Sequence, residues 1–485
     1  MNYGLFLSLF IGYLGVLMVI GWWTSKGGSN LTFFTANRGS HWLLVSFGMI
    51  GTSLSGVTFI SVPGWPATSG MTYMLMVLGF LLGYFVIAYV LLPVYYRSGV
   101  VSIYSYLGQR LGLPAHKTGS LFFLLSRTVG ASARLYIVAL VMQTMICEPL
   151  GIPFWQTALA ILAFIALYSA LGGIATLVVT DTLQTVFMLL AAGLAFLAVG
   201  RGVVPDGQSW LAYLYEAPEN TWILTEGPKS WWRQVLGGLA IAVAMTGLDQ
   251  DMMQKNLTVP ELRHSQKNVV LLGLNLLWVN LVFLALGIFL NRYALAHGLS
   301  IEGGEYLFVQ VITQPTFSML LQSVFFIGLL AAAFSSADSA LTALTTAFCV
   351  DFLQIRPDEG PRRRYITYAG VLAVVFLALL ALRALDSKSV IDTLFTAAGY
   401  TYGPLLGMFA FALVRPRTSF DFNWSILALA IASPLLAWGL SLWAPSVGYA
   451  IGFELILYNA AFMYAGLALL ARGKRGARAR GGMRP

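Results

Sequence analysis

The chain has 485 residues, of which 58% are hydrophobic and only 10% carry a charge. Soluble domains carry about 25% charged residues, so this composition excludes a string of soluble domains and indicates an integral membrane protein with many spans. The formal net charge of +9 does not indicate a nucleic-acid partner, because the basic residues are scattered over short loops between apolar stretches.

Thirteen stretches approach the roughly 20 apolar residues that a membrane helix needs. In chain order they cover 4–23, 41–66, 71–96, 119–146, 152–171, 174–200, 233–252, 268–291, 317–348, 366–384, 390–414, 424–443 and 447–471. The first lacks the basic start and the small-residue cleavage site of a signal peptide, so we expect it to be retained. No long polar stretch separates the spans, which predicts one polytopic domain over residues 1–471 and a basic tail at 472–485.

The distribution of Lys and Arg over the predicted loops indicates the orientation of the chain in a cell membrane. With the N-terminus outside, the inner loops and the tail hold 20 of the 28 basic residues, Lys255 among them, and the outer loops hold six. We therefore expect an outer N-terminus and a cytoplasmic C-terminus. The tail either lies against anionic lipid head groups or is simply solvated. Cys147 and Cys349 fall on opposite faces in this topology, which predicts no disulfide.

Two of the predicted spans contain breaks at matching positions. Spans two to six (41–200) and seven to eleven (233–414) form two sets of five, as expected for an inverted repeat. The first span of one set contains "GTSLSG" (51–56), and the first span of the other contains "MTGLDQDMMQ" (245–254). Unwound backbone occurs at membrane depth where protein buries it or where it lines a wet cavity. Close helix packing is the alternative explanation for the glycines, but two matching breaks favour a central binding site.

A stripe of polar side chains interrupts the apolar run near residue 335. Its members recur at helical spacing and share one helix face: Ser335, Asp338, Ser339, Thr342 and Thr346. Hard cations such as sodium prefer several oxygen ligands, which hydroxyls, a carboxylate and the carbonyls of a broken helix supply. Ser and Thr also link helices or bond back to their own backbone, an explanation that suits the threonines better than the aspartate.

Further ionisable residues lie inside predicted spans, where such residues are costly and usually functional. Asp181 lies within the sixth span, as a functional carboxylate or as a cap on a neighbouring helix. Arg134 lies roughly 22 Å into its span at 1.5 Å per residue, so it needs a carboxylate from the protein or from a substrate. Arg127 is shallower, and we expect it to snorkel to the interface. Asp249 and Asp251 at the second break either line the site or form an inner gate together with Gln250. Alternatively, the aspartates have a structural role in an ion pair.

Motifs of other functional classes are missing from the sequence. His41, His116, His264 and His297 are dispersed and form no metal-binding pattern. The sequence contains no Walker loop, and no nucleophile, base and acid can be grouped. We therefore expect neither an enzyme nor a bound cofactor.

Five segments resemble, in order and spacing, the sodium/solute symporter family, over about residues 5–415. They are "GTSLSGVTFISVPG", "YSALGGIATLVVTDTLQ", "DQDMMQKNL", "AAAFSSADSALTALTTAFCVDF" and "YTYGPLLG". In motif the chain is most similar to the sialic-acid-transporter-like branch. The resemblance implies an all-α membrane protein of the leucine-transporter type, with a five-plus-five inverted repeat, one additional N-terminal helix and two C-terminal helices. It also implies sodium as the coupling ion.

The resemblance further implies two cation sites. The principal sodium site would use the carbonyl groups of Gly51, Leu54 and Ala332 and the hydroxyl groups of Ser335 and Ser336. A second site would use Asp181, Ser335, Asp338 and Ser339. The branch has a serine where this chain has Asp338, so the extra carboxylate would either strengthen the second site or let protonation compete with the ion.

The substrate site implied by the resemblance consists of Ser53, Ser55, Thr58 and Arg134, which would hold a carboxylate. A glutamine that sialic acid transporters use is Val77 here, so the resemblance does not extend to sialic acid itself. We expect a symporter that imports a small, carboxylate-bearing solute by alternating access, with sodium, the solute and the bilayer as partners. A monomer is compatible with the sequence. The alternative is a transporter-like membrane sensor that binds a solute and signals through a separate partner.

Overall fold

The computed structural model describes residues 3–25, 29–54, 56–299, 307–356, 359–385, 390–415, 418, 420 and 424–481. Within these ranges, the side chains of 3, 56, 57, 145, 385, 390–395 and 473–481 are not described. Ser55, one of the expected substrate contacts, lies outside the described residues. Throughout the described ranges the secondary structure is helical, without a strand, which confirms the all-α prediction.

The α-helices of the described chain are numbered in chain order. They are α1 (Tyr3–Thr24), α2 (Asn30–Thr35), α3 (Trp42–Leu54), α4 (Gly56–Ser61), α5 (Trp65–Ser69), α6 (Tyr73–Val86), α7 (Leu92–Ser98), α8 (Tyr104–Leu111), α9 (Leu113–Met142), α10 (Phe154–Gly172), α11 (Ile174–Val203), α12 (Trp210–Glu216), α13 (Trp231–Ala242), α14 (Gln250–Asn256), α15 (Leu262–Ala296), α16 (Leu307–Ile312), α17 (Met319–Ala347), α18 (Arg362–Leu385), α19 (Val390–Val414), α20 (Ser425–Trp443) and α21 (Leu455–Gly481).

Eleven helical stretches of the described chain are long and apolar enough to cross a membrane. Each corresponds to one of the predicted spans. The two predicted spans without such a counterpart are 41–66 and 233–252. The span 41–66 is described as α3 and α4 on either side of position 55, which lies outside the described residues. The span 233–252 is broken into α13 and α14, which the segment 243–249 separates.

The second break shows how an unwound segment is stabilised in an apolar environment. Between α13 and α14 the chain passes through a wide turn at Val243–Gly247, and Asp249 is extended, with φ −103° and ψ 122°. The freed carbonyl oxygens of Gly247 and Leu248 accept hydrogen bonds from the hydroxyl groups of Tyr95 (2.8 Å) and Tyr104 (2.9 Å). Because protein donors replace the lost helical hydrogen bonds, the break is tolerated at membrane depth.

The helix contacts are related between the two halves as an inverted repeat requires. The broken helix α13 packs along α6 of the first half, and the broken helix α3 packs along α15 of the second half. In the same way, α11 packs against α17, and α9 packs against α19. The additional helix α1 lies against α10 and α11, whereas α20 and α21 pack against each other and against α19. The domain boundaries proposed from the sequence stay a prediction.

Glycines allow α6 and α13 to approach at backbone distance. A Cβ atom on Gly79 would lie 2.3 Å from the carbonyl oxygen of Val235, and one on Gly238 would lie 2.2 Å from that of Met76. No side chain fits at such separations, so these glycines serve helix packing. This contact holds the second broken helix against the first half of the molecule, where the central cavity forms.

Candidate functional site

A cavity of about 100 Å³ lies between the first broken helix, α6, α9, α13 and α15. Three of the expected substrate contacts, Ser53, Thr58 and Arg134, are brought together in its lining. Much of the remaining lining is aromatic or aliphatic, and includes Tyr73, Phe80, Tyr84, Met245 and Leu276. The cavity is therefore a mostly apolar chamber with a cationic group and a few hydroxyl groups on its wall.

Arg134 has no partner among the described residues. Its guanidinium group forms no hydrogen bond or ion pair within the described chain, and its Nε atom is buried without an acceptor. The sequence left two possible partners for Arg134, a carboxylate of the protein or one of a substrate. No described aspartate forms an ion pair with Arg134. A buried guanidinium carries five donors in a planar fork suited to a carboxylate or another oxyanion. Arg134 thus offers the cavity an unused anion-binding group.

Arg127 also lines the cavity, but it does not snorkel as expected from the sequence. Its side chain is 3% exposed and forms an ion pair with Asp251, and its Nη1 atom lies 3.6 Å from Asp249 Oδ2. The expectation was wrong because the second broken helix places two carboxylates directly beside α9. Buried charges are stable when they are paired in this way.

The residues "DQD" at the second break hold that segment in place. Asp249 accepts a hydrogen bond from the Asp251 backbone N–H (2.9 Å) and another from the hydroxyl group of Tyr402. Gln250 spans to the loop before α8, where it donates to the Val101 carbonyl and accepts from the Ile103 N–H, both at 2.9 Å. The sequence left three roles open for this segment: lining the site, forming an inner gate or forming a structural ion pair. The structure contains the ion pair, between Arg127 and Asp251, and the pair lies beside the cavity.

The residues of the expected principal sodium site lie where the first break meets α17, which packs against both α3 and α4. A Cβ atom on Gly51 would lie 3.5 Å from Ser335 Oγ, so the two helices touch at this point. Leu54 of α3 and Ala332 of α17 are both buried. Ser336 is 1% exposed, and its hydroxyl group has no hydrogen-bond partner in the described chain.

The expected second cation site contains a residue that sequence analysis placed elsewhere. The Lys255 Nζ atom lies 2.6 Å from Asp181 Oδ2, 2.6 Å from Ser339 Oγ and 2.5 Å from Thr52 Oγ1. Lys255 is 1% exposed, so its assignment to an inner loop is wrong. Asp181 Oδ1 in turn accepts a hydrogen bond from Ser335 Oγ at 2.8 Å. Asp181, Ser335 and Ser339 are therefore brought together, with an ammonium group among them.

Asp338, the fourth member of that expected set, makes a different contact. Its Oδ2 atom accepts a hydrogen bond from the hydroxyl group of Tyr168 at 2.6 Å, and its Oδ1 atom has no hydrogen-bond partner in the described chain. Tyr168 lies on α10, away from the first break. Asp338 forms no hydrogen bond or ion pair with Lys255 within the described part.

Sequence reasoning missed Lys255 and Thr52 as members of this cluster. A signal for Lys255 existed, because it follows Asp251 by four residues, on the face of α14 that also carries the paired carboxylate; the two groups are 4.0 Å apart. Gln254 beside it donates to Thr346 Oγ1 (3.0 Å) at the end of the polar stripe, which docks α14 on α17. Thr52 carried no signal beyond its place in "GTSLSG".

A broken helix beside a polar, buried centre in a bundle of membrane-length helices is a feature of multi-pass secondary transporters, and it defines the class of this protein. The chain matches the model of the sodium:solute symporter family over residues 33–420 and belongs to that family. The family consists of sodium-coupled transporters, so sodium is the coupling ion implied for this chain.

Relatives in this family transport different solutes. The chain is 24% identical to the human sodium/iodide cotransporter, covering 92% of this chain and 71% of the relative. It is 24% identical to the sodium/sialic acid symporter NanT of Aliivibrio fischeri, with coverage of 89% and 87%. It is 23% identical to the mouse sodium-coupled monocarboxylate transporter 1, with coverage of 84% and 69%.

Two solved structures share the fold. A substrate-bound, outward-open sodium-coupled sialic acid symporter superimposes with a TM-score of 0.80 at 19% identity, over 96% of this chain and 98% of that one. Mhp1, a nucleobase-cation-symport-1 family transporter in a closed conformation, gives a TM-score of 0.56 at 14% identity, over 90% and 94%. These likenesses confirm the transporter fold predicted from the sequence.

Proposed function

We propose that this protein is a sodium-coupled secondary symporter that imports a small solute bearing a carboxylate group. The observation that carries the proposal is the guanidinium group of Arg134, which lines the central cavity and has no partner in the described chain. Arg134 is half-buried, and its Nε atom is fully enclosed. An unpaired cation inside a membrane span is costly, and an anionic solute supplies the missing charge.

The neighbouring arginine supports this assignment. Arg127 lies on the same helix and lines the same cavity, but Asp251 neutralises it. Within the described chain, the carboxylates beside α9 form ion pairs with Arg127 and none forms one with Arg134. Arg134 and the hydroxyl groups of Ser53 and Thr58 form an anion-binding corner of the cavity. The resemblance to the family adds Ser55 to this set, although Ser55 lies outside the described residues.

The dimensions and polarity of the cavity restrict the solute. Pockets for drug-sized ligands measure about 300–1,000 Å³, whereas this cavity measures about 100 Å³. A mostly apolar wall opposite one cationic corner suits a short anion with an apolar body. Among the relatives, one is a monocarboxylate transporter and another carries iodide, which fits a small anion.

For the principal sodium site we propose the set expected from the sequence: the carbonyl groups of Gly51, Leu54 and Ala332 and the hydroxyl groups of Ser335 and Ser336. The unpartnered, buried hydroxyl group of Ser336 supports this set, because a buried polar group needs a partner. The proposed site lies between α3 and α17, and it borders the cavity directly, because Thr52, Ser53 and Leu54 line the cavity. Sodium bound here stabilises the first break and raises solute affinity, and the coupling is reciprocal.

We further propose that Asp249, Gln250 and Asp251 form part of an inner gate. The ion pair between Arg127 and Asp251 joins α9 to α14 at the wall of the cavity. Opening the cavity toward the cytoplasm requires this pair to separate or to move as a unit, as in alternating access. The positive-inside distribution supports an outer N-terminus and a cytoplasmic C-terminus in the cell membrane.

Uptake into proteoliposomes tests the proposal. Purified protein is reconstituted and given an inward sodium gradient, with short monocarboxylates, iodide, sialic acid, neutral sugars and amino acids offered separately. We expect accumulation of a small carboxylate above its equilibrium level, and none under an equal potassium gradient. Binding of the solute without accumulation contradicts transport and supports the sensor alternative. Accumulation of neutral solutes alone contradicts the role assigned to Arg134.

A further inference from the structure

We infer that the ammonium group of Lys255 is the resident cation of the second site, so that each protein molecule binds a single exchangeable sodium ion. The inference rests on the proposed function, since it concerns how many ions accompany the solute. It differs from the expectation that Asp181, Ser335, Asp338 and Ser339 bind a second sodium ion.

The contacts of Lys255 are those of a fully satisfied cation. An ammonium group has three N–H donors and no acceptor. The Nζ atom has three oxygen neighbours at 2.5–2.6 Å, one each from Asp181, Ser339 and Thr52. These oxygens come from α11, α17 and α3, so the side chain joins three helices at one point. Each donor has its own acceptor, and the Asp181 carboxylate balances the charge.

The same oxygens would have to serve a second sodium ion. Asp181 and Ser339 are two of the four residues assigned to that ion, and both contact Lys255 Nζ at 2.6 Å. Two cations cannot share one small set of oxygens, because at such separations they repel each other strongly in a medium of low polarity. The remaining carboxylate, Asp338, accepts a hydrogen bond from Tyr168 and does not complete a separate site. Lys255 therefore excludes the second ion by occupying its position.

The principal site is not affected by this occupation. Ser335 Oγ donates a hydrogen bond to Asp181 Oδ1 at 2.8 Å and lies 3.3 Å from Thr52 Oγ1. A hydroxyl oxygen has two lone pairs, so at least one stays available to a cation. Ser336 forms no hydrogen bond in the described chain, and Lys255 does not contact it. The hydrogen bonds from Lys255 to Asp181 and from Ser335 to Asp181 thus orient one ligand of the principal sodium site. At the same time, Lys255 occupies the second cation site.

The backbone fixes Lys255 in this position. It lies in the last turn of α14, whose first turn is anchored by the Asp249 cap. The preceding residue, Gln254, donates hydrogen bonds to the Phe34 carbonyl (2.7 Å) and to Thr346 Oγ1 (3.0 Å). These contacts hold both ends of α14, so the lysine enters the cluster from a rigid helix.

Counting bound sodium ions tests the inference. Full-length protein in detergent is titrated with radioactive sodium, and the sodium dependence of uptake is measured in proteoliposomes. We expect one ion per wild-type molecule and a Hill coefficient of about one. Lys255→Met removes the ammonium group and frees the Asp181 carboxylate, so we expect two ions and a Hill coefficient above one. The double variant Lys255→Met/Asp181→Asn should bind one ion again, because the freed carboxylate is gone.

Lys267→Met provides the matched control, because it removes a lysine that is exposed on α15 and should leave the count at one. Two ions on the wild type, or a single ion on a folded Lys255→Met variant, would overturn the inference while leaving sodium-coupled transport intact. No bound sodium on the wild type would overturn both. If Lys255→Met does not fold, the wild-type count still tests the inference, because two ions on the wild type would overturn it.

Discussion

Arg127 and Arg134 lie seven residues apart on α9 and both line the central cavity, yet Arg127 pairs with Asp251 and Arg134 pairs with no described residue. Seven residues are close to two helical turns, so the two guanidinium groups share one helix face. The difference between them is therefore set by the neighbouring helices. Among the described residues, the carboxylates of the second break form ion pairs with Arg127 and not with Arg134, and we expect Arg134 to be available to the solute.

Replacement of Arg134 should weaken solute binding without affecting sodium binding. Hydrogen bonds to charged groups contribute about 1.5–3 kcal/mol, and about 1.4 kcal/mol corresponds to a tenfold change, so Arg134→Ala should lower solute affinity roughly 10- to 100-fold. Arg134→Lys keeps the charge but loses the planar fork, and should fall in between. Competition binding measures the affinity, with Arg201→Ala at the exposed end of α11 as control. Unchanged solute affinity in Arg134→Ala would eliminate the anchor.

Loss of Arg127 should destabilise the protein, because Asp251 would remain buried without its partner. Removal of one member of a buried ion pair typically costs about 3–5 kcal/mol. Arg127→Met should therefore lower the melting temperature in detergent, and Arg127→Met/Asp251→Asn should recover part of the loss. Recovery stays incomplete because Asp249 also faces Arg127 at 3.6 Å. A double variant less stable than Arg127→Met would show that the pair does not act as a unit.

The polar stripe on α17 could be predicted from sequence because its residues recur at helical spacing. Ser335, Asp338, Ser339, Thr342 and Thr346 are all buried, as that spacing indicates. The second broken helix could also be predicted, since glycine and polar residues interrupt an apolar run there. These two features depend on local sequence alone, and the structure contains both. The break predicted at 51–56 includes position 55, which lies outside the described residues.

The partner of each charge could not be predicted in the same way. Lys255 and Asp181 are 74 residues apart in the chain, and Arg127 and Asp251 are 124 apart. Such pairs depend on which helix faces meet, and a single sequence does not determine those faces. The sequence placed Lys255 in an inner loop because the predicted apolar span ends at residue 252. Here α14 is short and docks on α17, so its lysine turns inward.

Ser336→Ala should weaken the response to sodium and leave the sodium-free protein almost unchanged. Its hydroxyl group forms no hydrogen bond in the described chain, so little stability depends on it without the ion. Loss of groups that merely support metal ligands typically costs 10- to 100-fold in affinity, and we expect at least about tenfold here. The measurement is the sodium concentration that gives half of the maximal thermal stabilisation.

Ser169→Ala is the control for that experiment. Ser169 is equally buried, but its hydroxyl group is hydrogen-bonded to the Ile165 carbonyl and to Tyr368, both at 2.7 Å. Its removal should lower stability and leave the sodium response intact. The same sodium response in Ser336→Ala and in wild type would exclude Ser336 as a ligand.

A side chain at Gly238 should separate α13 from α6. The Cβ atom of Gly238→Ala would lie 2.2 Å from the Met76 carbonyl oxygen, and overpacking of this kind typically costs about 1–3 kcal/mol. Gly193 on α11 has no atom within 4 Å of the corresponding position, so Gly193→Ala should be neutral or slightly stabilising through helix propensity. Thermal unfolding of the two variants compares these outcomes. Equal stability in both would show that the backbones do not meet as closely as described.

The contact between Asp338 and Tyr168 should contribute to stability and not to sodium binding. Tyr168→Phe removes the donor to Asp338 Oδ2, which typically costs about 1–3 kcal/mol for a buried acceptor. Asp338→Ser removes the acceptor and should have a similar effect. Because both substitutions break one interaction, their effects should not add in the double variant. All three proteins should bind sodium with wild-type affinity, since Asp338 contacts neither Lys255 nor the residues of the principal site through a hydrogen bond in the described chain. A large loss of sodium affinity in Asp338→Ser, without one in Tyr168→Phe, would instead make Asp338 a cation ligand.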